Sequence, residues 1–296
     1  MLIRPATEGD AAGIRAVCTA SLPLDPDAAD LPAILGDSPP GLLVAETAGT
    51  VTGVASGAVR QPLSGPLRGN VDLLAIAPQA RGEGTGAQLL AAVEDRLHSA
   101  GATQVRLGQG PPVYLWPGVD PRYTAMTCLA ERAGYQRRGD QVNMAVDLDA
   151  ASLDTGPEER RLAKAGIIVR RAAPAEARPL VEWLRRGPWG GLTWPAETAR
   201  TLAHDPPRCH VAVRGETYLA FACHGANRRT WFGPMGTLPS EQRHGIGAVL
   251  LRRCLADIRR DGHASAQIAW TGPVRFYARA VAARIDRVFW VYEKAL

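Results

Sequence analysis

Short apolar runs and amphipathic helical patterns alternate along the chain, and the same order of patterns occurs twice. Each copy predicts an opening strand and helix, a hairpin, a third strand ending near a proline, and a glycine-rich loop that leads into a longer helix. A strand, a short helix and a last strand follow. Pro78 and Pro239 are 161 positions apart, as are Leu90 and Leu251, so the copies are in register through their centres. The pattern predicts two copies of one α/β unit with a mixed sheet.

The boundary between the copies is predicted at residues 151–166, a polar stretch rich in small residues that is typical of a linker. We therefore expect an N-terminal domain over residues 1–150 and a C-terminal domain over residues 167–296. A chain of 296 residues is long for one domain and suits two of about 150 residues. Within the first domain, the five prolines of residues 21–40 predict a loop or a broken helix.

Two glycine-rich loops stand at equivalent positions, each after a predicted strand and before a predicted helix. Glycines two apart allow the backbone to approach a ligand closely. The first turn of the following helix adds unpaired N–H groups and the positive end of the helix dipole, which together suit a phosphate group. We expect both loops to bind a phosphate-containing ligand: Arg81, Gly82, Glu83, Gly84, Thr85 and Gly86 form the first, and Gln242, Arg243, His244, Gly245, Ile246 and Gly247 form the second.

Two better-known phosphate motifs do not fit these loops. Gly82, Gly84 and Ala87 satisfy the G-x-G-x-x-G/A spacing of a dinucleotide-binding loop. That motif needs an acidic residue at the end of the next strand to hold a ribose, and the candidate strand at residues 104–107 has none. The second loop has Leu250 where a small residue is required. No Gly-Lys-Ser/Thr sequence follows either loop, so the Walker phosphate loop is excluded as well.

Composition narrows the class of protein. Hydrophobic residues make up 46% of the chain and charged residues 21%, as in soluble globular proteins. No apolar run approaches the roughly 20 residues of a membrane span, and the first residues predict a strand rather than a signal peptide. Five scattered cysteines without a C-x-x-C pair indicate reduced thiols rather than disulfides or a metal site. We therefore expect a cytoplasmic protein with no membrane partner and no bound metal.

The net charge of +5 is shared unevenly between the two halves. Residues 1–150 contain 11 Arg and 16 acidic residues, a charge of −5, whereas residues 151–296 contain 23 basic and 13 acidic residues, a charge of +10. A basic half is one feature of nucleic-acid-binding proteins. Here the arginines are spread through predicted helices and strands without an aromatic-and-basic motif, so we expect no nucleic-acid partner.

The motif Arg/Gln-x-x-Gly-x-Gly between a central strand and a helix resembles the coenzyme A pyrophosphate loop of the GNAT N-acetyltransferase superfamily. It occurs here at residues 81–86 and again at residues 242–247. The order of elements resembles that family over nearly the whole chain, in the plan of tandem GNAT proteins such as mycothiol-synthase-like enzymes. The resemblance implies an α/β fold with two tandem acyl-CoA N-acyltransferase domains, and acetyl-CoA as the co-substrate.

The resemblance also implies the chemistry, which is direct attack of a small-molecule primary amine on the thioester of acetyl-CoA. A base or a chain of waters takes the proton of the amine, and an acid protonates the departing thiolate. The strand before each loop is then expected to contact the co-substrate through its backbone. The positions concerned are Leu74 and Ile76 in the first copy, and Met235, Gly236, Thr237 and Leu238 in the second.

The two copies differ where the family often has its general acid, a tyrosine shortly before a Gly-aromatic or Gly-Ala pair. Tyr277 takes the corresponding place in the second copy, one residue off the usual spacing and with Ala282 where glycine is usual. The first copy has Ala130 there. The resemblance therefore implies a catalytic C-terminal domain with Tyr277 as general acid. The N-terminal domain is then a degenerate or supporting copy whose intact loop can still bind coenzyme A.

Three tryptophans and one histidine of the second copy are candidates for the acceptor site. Trp183, Trp189 and Trp194 lie between its first helix and its hairpin, a segment that roofs the acceptor site in the family that the chain resembles. Core packing is the alternative interpretation of these tryptophans. His224, after a predicted strand, is either a base that contacts the substrate or a solvated polar residue. Two other functions stay open: a non-catalytic acyl-CoA-binding protein and a transferase of a longer acyl group.

Overall fold

The computed structural model describes residues 1–36, 41–61 and 65–296. Helices and mixed β-sheet occur in both halves of this part of the chain, so the predicted α/β class with its duplication is confirmed. The proline-rich stretch contains the short helix Leu31–Leu35, and its last four positions lie outside the described residues. No helix within the described ranges has both the length and the apolar character needed to cross a membrane.

Two compact units divide the chain, but their limits differ from those of the predicted domains. The first unit comprises Met1–Gln141 and Val288–Leu296, and the second comprises Val142–Arg287. Each unit therefore includes a strand segment from beyond the boundary predicted at residues 151–166. Alternating apolar and polar residues identify a strand but not the strand that pairs with it. The sequence therefore did not predict that Val288–Leu296 belong to the first unit.

The first unit has helices on both faces of its sheet. Its elements are β1 (Leu2–Pro5), α1 (Ala11–Ser21), α2 (Leu31–Leu35), β2 (Leu43–Thr47), β3 (Thr50–Arg60), β4 (Arg68–Ile76), α3 (Thr85–Ser99), β5 (Gln104–Leu107), α4 (Thr124–Arg132) and the first part of β6 (Gln136–Asp147). The strands are ordered β1-β2-β3-β4-β5, and the end of the last strand of the chain continues this sheet beside β5. β4 and β5 are parallel, and the other pairs of this unit are antiparallel.

Two apolar clusters hold the first unit together, one on each face of the sheet. Ile14 and Val17 of α1 belong to the same buried cluster as Val54, whereas Leu89 of α3 belongs to the cluster that includes Ala55. Because neighbouring residues of a strand point to opposite faces, β3 separates the two clusters. We refer to these two sides of the sheet as the α1 face and the α3 face.

A bulge in β4 places one acidic residue outside the regular ladder. Leu73 pairs with Ser56 of β3 and Val71 pairs with Gly57, so Asp72 is an additional residue with no partner in β3. The pairing of β4 with β5 ends at Val71, while β4 continues to Ile76. The two parallel strands therefore part beyond the bulge.

The second unit repeats this plan. Its elements are the end of β6, α5 (Gly156–Lys164), β7 (Ile168–Arg171), α6 (Ala177–Arg186), α7 (Trp194–Leu202), β8 (Cys209–Arg214), β9 (Thr217–His224), β10 (Trp231–Thr237), α8 (Ile246–Arg260), β11 (Ser265–Ile268), α9 (Val274–Val281) and the start of β12 (Arg284–Ala295). The strands are ordered β6-β11-β10-β9-β8-β7, with β10 and β11 parallel. The predicted linker contains α5, and Leu162 of that helix is buried in the core of this unit.

The end of β12 belongs to the structure of the first unit. It pairs with β5 in antiparallel register. Tyr292 is fully buried, and its hydroxyl donates a 3.0 Å hydrogen bond to Glu131 of α4. Lys294 forms a 2.7 Å ion pair with Glu94 of α3. The last strand of the chain therefore supports two helices of the N-terminal unit.

Candidate active site

The two predicted phosphate loops share one backbone plan. α3 begins directly after Gly84 and α8 begins directly after Gly245. Both glycines have a left-handed backbone, with φ of 83° and 85° respectively. A residue with a Cβ would be strained in this conformation, which explains a glycine at this point of each loop. Each loop thus leads the chain directly into a helix N-terminus, as an anion site requires.

The second loop differs from the first in two ways. Arg243, with φ of 67°, takes the left-handed position that Gly82 occupies in the first loop with φ of 85°. In addition, Arg161 of α5 donates from Nη2 to the carbonyl of His244 over 3.3 Å. A Cβ atom at Gly245 would lie 2.7 Å from that same nitrogen. The chain therefore places one of its own guanidinium groups on the second loop, where a phosphate was predicted to bind.

A cleft of about 770 Å³ opens in the first unit where β4 and β5 part. Its walls are the stretch of β4 from Val71 to Ile76, the first glycine loop and one side of α4. This size falls within the usual range for small-molecule sites. The predicted contacts that line the cleft are Leu74, Ile76, Arg81, Gly82, Gly84 and Gly86, whereas Glu83 is exposed and Thr85 is buried.

A buried carboxylate stands in the wall of this cleft. The side chain of Asp72, the bulged residue of β4, is 3% exposed. Arg60 Nη2 donates to Oδ2 over 3.0 Å, whereas Oδ1 is buried and accepts no hydrogen bond from the described residues. Burial raises the pKa of Asp72 to about 7, against the opposing charge of Arg60. The group can therefore accept a hydrogen bond or a proton near neutral pH.

A second buried carboxylate holds two walls of the cleft in place. Asp25 accepts a 3.0 Å hydrogen bond from Trp116 Nε1 and a 2.7 Å hydrogen bond from the Tyr123 hydroxyl. The Tyr123 oxygen also accepts from the backbone N–H of Leu24 over 3.2 Å. Trp116 and Tyr123 both line the cleft. Asp25 therefore fixes the segment after α1 to the loop that precedes α4.

These two aspartates were not among the residues that we predicted from the sequence. Asp72 carries a signal, because it is the one charged residue in the apolar run at residues 71–76. A charge in an otherwise buried strand indicates either a structural ion pair or a site. Asp25 lies in a proline-rich segment, and the contacts that give it a role join positions about 90 and 98 residues apart in the chain.

Aromatic side chains occupy the corresponding region of the second unit. A Cβ atom at Gly86 would lie 3.3 Å from Leu129 Cδ2, and one at Gly247 would lie 3.5 Å from Phe276 Cζ. Leu129 and Phe276 therefore occupy equivalent positions in the two units. The residues that follow them, Ala130 and Tyr277, are then equivalent as well. Both side chains are larger in the second unit.

The phenol of Tyr277 lies in an apolar cluster. Its ring is 5.0 Å from that of Phe276 and 6.1 Å from that of Phe232, in edge-to-face geometry. The residue is 6% exposed, and burial raises the pKa of its hydroxyl. Among the described residues, none forms a hydrogen bond with this hydroxyl. The role of general acid stays a prediction.

The remaining predicted contacts of the second copy have partners within that unit, and their contact with the co-substrate stays a prediction. The ring of Trp189 lies so close to Gly236 that a Cβ there would approach the indole. Thr237 accepts a hydrogen bond through its carbonyl from Gln242 Nε2 over 3.4 Å. The other positions are Met235, which packs near Gly247; Leu238, which packs beside the aromatic cluster; and Ile246, which is buried at the start of α8.

The three tryptophans predicted near the acceptor site pack against one another. Trp189 lies 5.2 Å from Trp183 and is stacked at 6.5 Å on Trp194. Phe221 of β9 meets all three rings edge-on, at 5.3–6.3 Å between centroids. The arrangement matches the alternative of core packing, with aromatic pairs in favourable geometry.

His224 lies beside a buried charge network. Asp257 of α8 is its centre and accepts from Arg171 over 2.6 Å, from His210 over 2.7 Å and from Arg260 over 2.7 Å. His224 is 2% exposed, with Nε2 at 3.5 Å from the same carboxylate. The network joins β7, β8 and β9 to α8, which points to a structural role for His224.

We expect Asp257→Asn to lower the free energy of unfolding of the second unit by about 3 kcal/mol, because it removes the charged acceptor of the hydrogen bonds from Arg171 and from the buried His210. Burial alone would raise the pKa of Asp257, but the hydrogen bond from His210 and the positive charge of Arg171 hold it below its usual range. Its contribution is therefore complete above about pH 4 and lost as the pH falls further. Burial also lowers the pKa of His210, so stability declines as the pH falls below about 6.5.

Urea unfolding at pH 7, 5 and 3 tests this expectation. The variant should be less stable than the natural protein at pH 7 and should lose less further stability towards pH 3. Equal free energies of unfolding at pH 7 would contradict the assignment of Asp257 as the centre of the network. Asp149→Asn is a matched control, because that carboxylate is 72% exposed and lies 3.8 Å from Arg259.

Comparison with known proteins agrees with the fold. The model of the acetyltransferase (GNAT) family matches residues 14–112 and again residues 176–285. No curated protein matches the chain. A GCN5-related N-acetyltransferase from Sphaerobacter thermophilus is 20% identical with a TM-score of 0.68, over 99% of this chain and 95% of that one. A tandem GNAT protein from the clavulanic acid biosynthesis pathway is 16% identical with a TM-score of 0.70, over 99% and 98% of the two chains.

A third similar structure is part of a longer protein. It is the GCN5-related glucosamine N-acetyltransferase region of a fungal multi-domain GH3 β-N-acetylglucosaminidase, with a TM-score of 0.80 and 17% identity. The match covers 99% of this chain but spans only 38% of the length of that protein. At such identities the likeness concerns the fold, which is that of two acetyltransferase domains in tandem.

Proposed function

The chain belongs to the acetyltransferase (GNAT) family, and we propose that it is an acyl-CoA-dependent N-acyltransferase whose active site is the cleft of the first unit. The donor is acetyl-CoA, and the acceptor is a primary amine of a small molecule. The cleft of about 770 Å³ between β4, the first glycine loop and α4 carries this proposal. In the second unit, Arg161 lies on the glycine loop and Phe276 adjoins it.

The residues around the cleft suit coenzyme A. The glycine loop at residues 81–86 ends in the N-terminus of α3, which favours a pyrophosphate. Arg81 and Arg132 line the cleft and add positive charge for phosphate groups. Leu74 and Leu129 provide apolar walls for a pantetheine arm. A groove that offers both positive charge and apolar walls suits the pyrophosphate and the pantetheine arm of this molecule.

Transfer to the amine proceeds by direct attack. The amine nitrogen forms a bond to the thioester carbonyl carbon, the carbon–sulfur bond breaks, and the nitrogen loses one proton. The thiolate leaves with the electron pair of the broken bond and takes up a proton. Positioning of the two reactants in one enclosed cleft supplies a large part of the rate enhancement in such reactions.

A thiol-release assay tests the proposed reaction. The full chain is incubated with acetyl-CoA and a panel of primary amines, and free coenzyme A is measured together with the mass of the acetylated product. Butyryl-CoA and octanoyl-CoA extend the assay to longer acyl groups. Binding of acetyl-CoA without release of thiol on any amine would overturn the proposal in favour of a non-catalytic acyl-CoA-binding protein.

We expect Tyr277→Phe to change kcat less than about twofold, because a phenol in the second unit takes no part in a reaction in the first. The substitution removes only a hydroxyl that has no hydrogen-bond partner among the described residues, so folding is preserved. Steady-state kinetics with the best amine of the panel gives the answer. A fall in kcat of about 100-fold with unchanged acetyl-CoA binding would return the chemistry to the second unit, with Tyr277 as its general acid.

A further inference from the structure

We infer that Trp116 limits the size of the acceptor in the first unit, and that Asp25 is a positioning residue that fixes the indole of Trp116 in the wall of the cleft. The substrate class that such a wall admits is a primary amine that carries one aromatic ring. This inference rests on the proposed function, since it names the substrate class of the same cleft.

The cleft has walls on both faces of the sheet. Leu74 and Leu129 line it and pack against the cluster of the α3 face, and the glycine loop leads into α3 on that face. Leu73 and Trp116 also line the cleft, but they pack in the cluster of the α1 face. The glycine loop, Leu74 and Leu129 are the walls that we assign to coenzyme A. The walls on the α1 face are then left for the acceptor.

The walls on the α1 face are apolar or aromatic. They include Leu22, Leu73, Trp116 and Tyr123. The polar atoms of the two aromatic side chains are bonded to the protein: Trp116 Nε1 donates to Oδ1 of Asp25 over 3.0 Å, and the Tyr123 hydroxyl donates to Oδ2 over 2.7 Å. Ring surface and hydrocarbon therefore meet the ligand here, and they favour an acceptor with an aromatic or apolar body.

The indole of Trp116 is held at its nitrogen edge by a buried carboxylate. Asp25 stands in a turn, with its N–H donating to the carbonyl of Leu22 over 3.0 Å, so the turn also places Leu22 in the wall. Trp116 is partly exposed and lines the cleft, whereas Asp25 is buried. Asp25 therefore acts on a ligand through the orientation of the indole rather than by direct contact.

The backbone of Trp116 is fixed by the stretch that follows β5. The carbonyl of Trp116 accepts from the N–H of Gln109 over 3.0 Å, and Gln109 Nε2 donates to the carbonyl of Pro117 over 2.9 Å. Asn70 of β4 donates to the carbonyls of Gly108 and Gln109, over 2.7 Å and 2.9 Å. A Cβ atom at Gly108 would lie 2.8 Å from the carbonyl oxygen of Trp116. The segment that carries the indole is thus tied to the sheet.

Gln109 adds a sign that this arrangement is imposed by its surroundings. Its backbone is left-handed, with φ of 57°, which is strained for a residue with a Cβ. Strained residues persist where the surrounding structure fixes them, and they occur often at ligand sites. Because both the backbone and the indole of Trp116 are fixed, this wall of the cleft is rigid.

A rigid ring in the wall sets an upper limit to the body of the acceptor. A body that is too small leaves part of the apolar wall uncovered, and one that is too large collides with a ring that has no room to move. Selectivity for one ring then depends on Trp116 for the limit and on Asp25 for its position.

The test uses three primary amines that share a CH₂–NH₂ group and differ in the size of the body: ethylamine, 2-phenylethylamine and 2,2-diphenylethylamine. We expect the natural protein to prefer 2-phenylethylamine over the other two by at least about tenfold in kcat/KM. Trp116→Ala should raise kcat/KM for 2,2-diphenylethylamine relative to 2-phenylethylamine by at least about tenfold, mainly through KM. The Kd for acetyl-CoA, measured calorimetrically, should change less than about threefold.

Trp270→Ala is the matched control, because Trp270 is a partly exposed tryptophan of the second unit. It should leave the relative kcat/KM of the three amines unchanged. A change of the same size in Trp270→Ala and in Trp116→Ala would contradict a specific role for Trp116.

Two variants of Asp25 test its positioning role. Asp25→Ala should broaden selectivity as Trp116→Ala does, because the indole loses the acceptor of its N–H. Asp25→Asn should restore the natural selectivity, since an amide oxygen accepts from Trp116 Nε1 and an amide nitrogen donates to the oxygen of Tyr123. If Asp25→Ala lowers stability but leaves the ratio of the amines unchanged, its role is structural only and the positioning role is wrong.

Trp116→Phe covers the case in which Trp116→Ala does not fold, since it keeps a smaller ring and should move the ratio in the same direction by about threefold. An unchanged ratio in the folded variants would overturn the inference. So would a natural protein that binds acetyl-CoA but acetylates none of the three amines, or that prefers ethylamine or 2,2-diphenylethylamine. If the natural protein does not bind acetyl-CoA, the proposed function fails as well, and calorimetry distinguishes that case from a failure confined to Trp116.

Discussion

Gly84→Glu is expected to weaken acetyl-CoA binding by about 100-fold, which corresponds to roughly 3 kcal/mol. The backbone of Gly84 is left-handed, with φ of 83°, and a side chain in that conformation costs about 1–2 kcal/mol. The loop relieves this strain by moving, which misplaces the N–H groups that face a phosphate. The new carboxylate then adds repulsion of a like charge at the wall of the cleft. Calorimetric titration with acetyl-CoA measures the effect.

The chain offers a matched control for this experiment in its second loop. Gly245 has nearly the same backbone, with φ of 85°, and a Cβ there would lie 2.7 Å from Arg161 Nη2. Gly245→Glu therefore introduces the same strain together with a carboxylate that meets a guanidinium, and binding should change less than about threefold. Gly84→Ala separates the two causes, because it introduces the strain without the charge. If Gly245→Glu removes binding and Gly84→Glu does not, the co-substrate site lies in the second unit.

The two loops show which features of the site can be predicted from the sequence. Their spacing of glycines, the strand before each and the helix after each were predicted, because these depend on local backbone conformation and helix geometry. The helix that contains Tyr277 was predicted for the same reason. Local sequence patterns do not predict the surroundings of a side chain in the folded protein. Whether Tyr277 faces a groove or an apolar cluster depends on Phe232 and Phe276, and their contacts form only in the folded unit.

The contacts of α5 and of the last strand illustrate the same limit at longer range. Residues 151–166 are polar and small, which is typical of a linker, yet they contain a helix that buries Leu162 in the core and brings Arg161 to the second loop. Alternation over β12 predicts a strand with one buried face, but it does not select the neighbour of that strand. Asp72 was overlooked although the signal was present, since a lone acid in an apolar strand needs a partner that only the bulge and Arg60 reveal.

Tyr292→Ala is expected to destabilise the first unit by about 3–5 kcal/mol, although the residue is the fifth from the C-terminus of the chain. The ring is fully buried in the cluster that contains Leu89, Val93 and Tyr135. Its removal leaves a cavity beside α4, and the hydrogen bond to Glu131 is lost as well. Because α4 and β5 bound the cleft, we expect acetyl-CoA affinity to fall together with stability.

Hydrogen exchange measured by mass spectrometry locates the destabilisation, and the reciprocal variant Met144→Ala is the control. Met144 stands in the part of β6 that belongs to the second unit, is 1% exposed, and lies in the core cluster with Ile268. Tyr292→Ala should accelerate exchange in β4, β5 and α4, whereas Met144→Ala should do so in β10, β11 and α8. If Tyr292→Ala accelerated hydrogen exchange only in the second unit, the assignment of the end of β12 to the first unit would be wrong. A cleft that depends on Tyr292 in this way requires the far end of the chain for its activity, so the C-terminal residues matter to catalysis even if the second unit performs no chemistry.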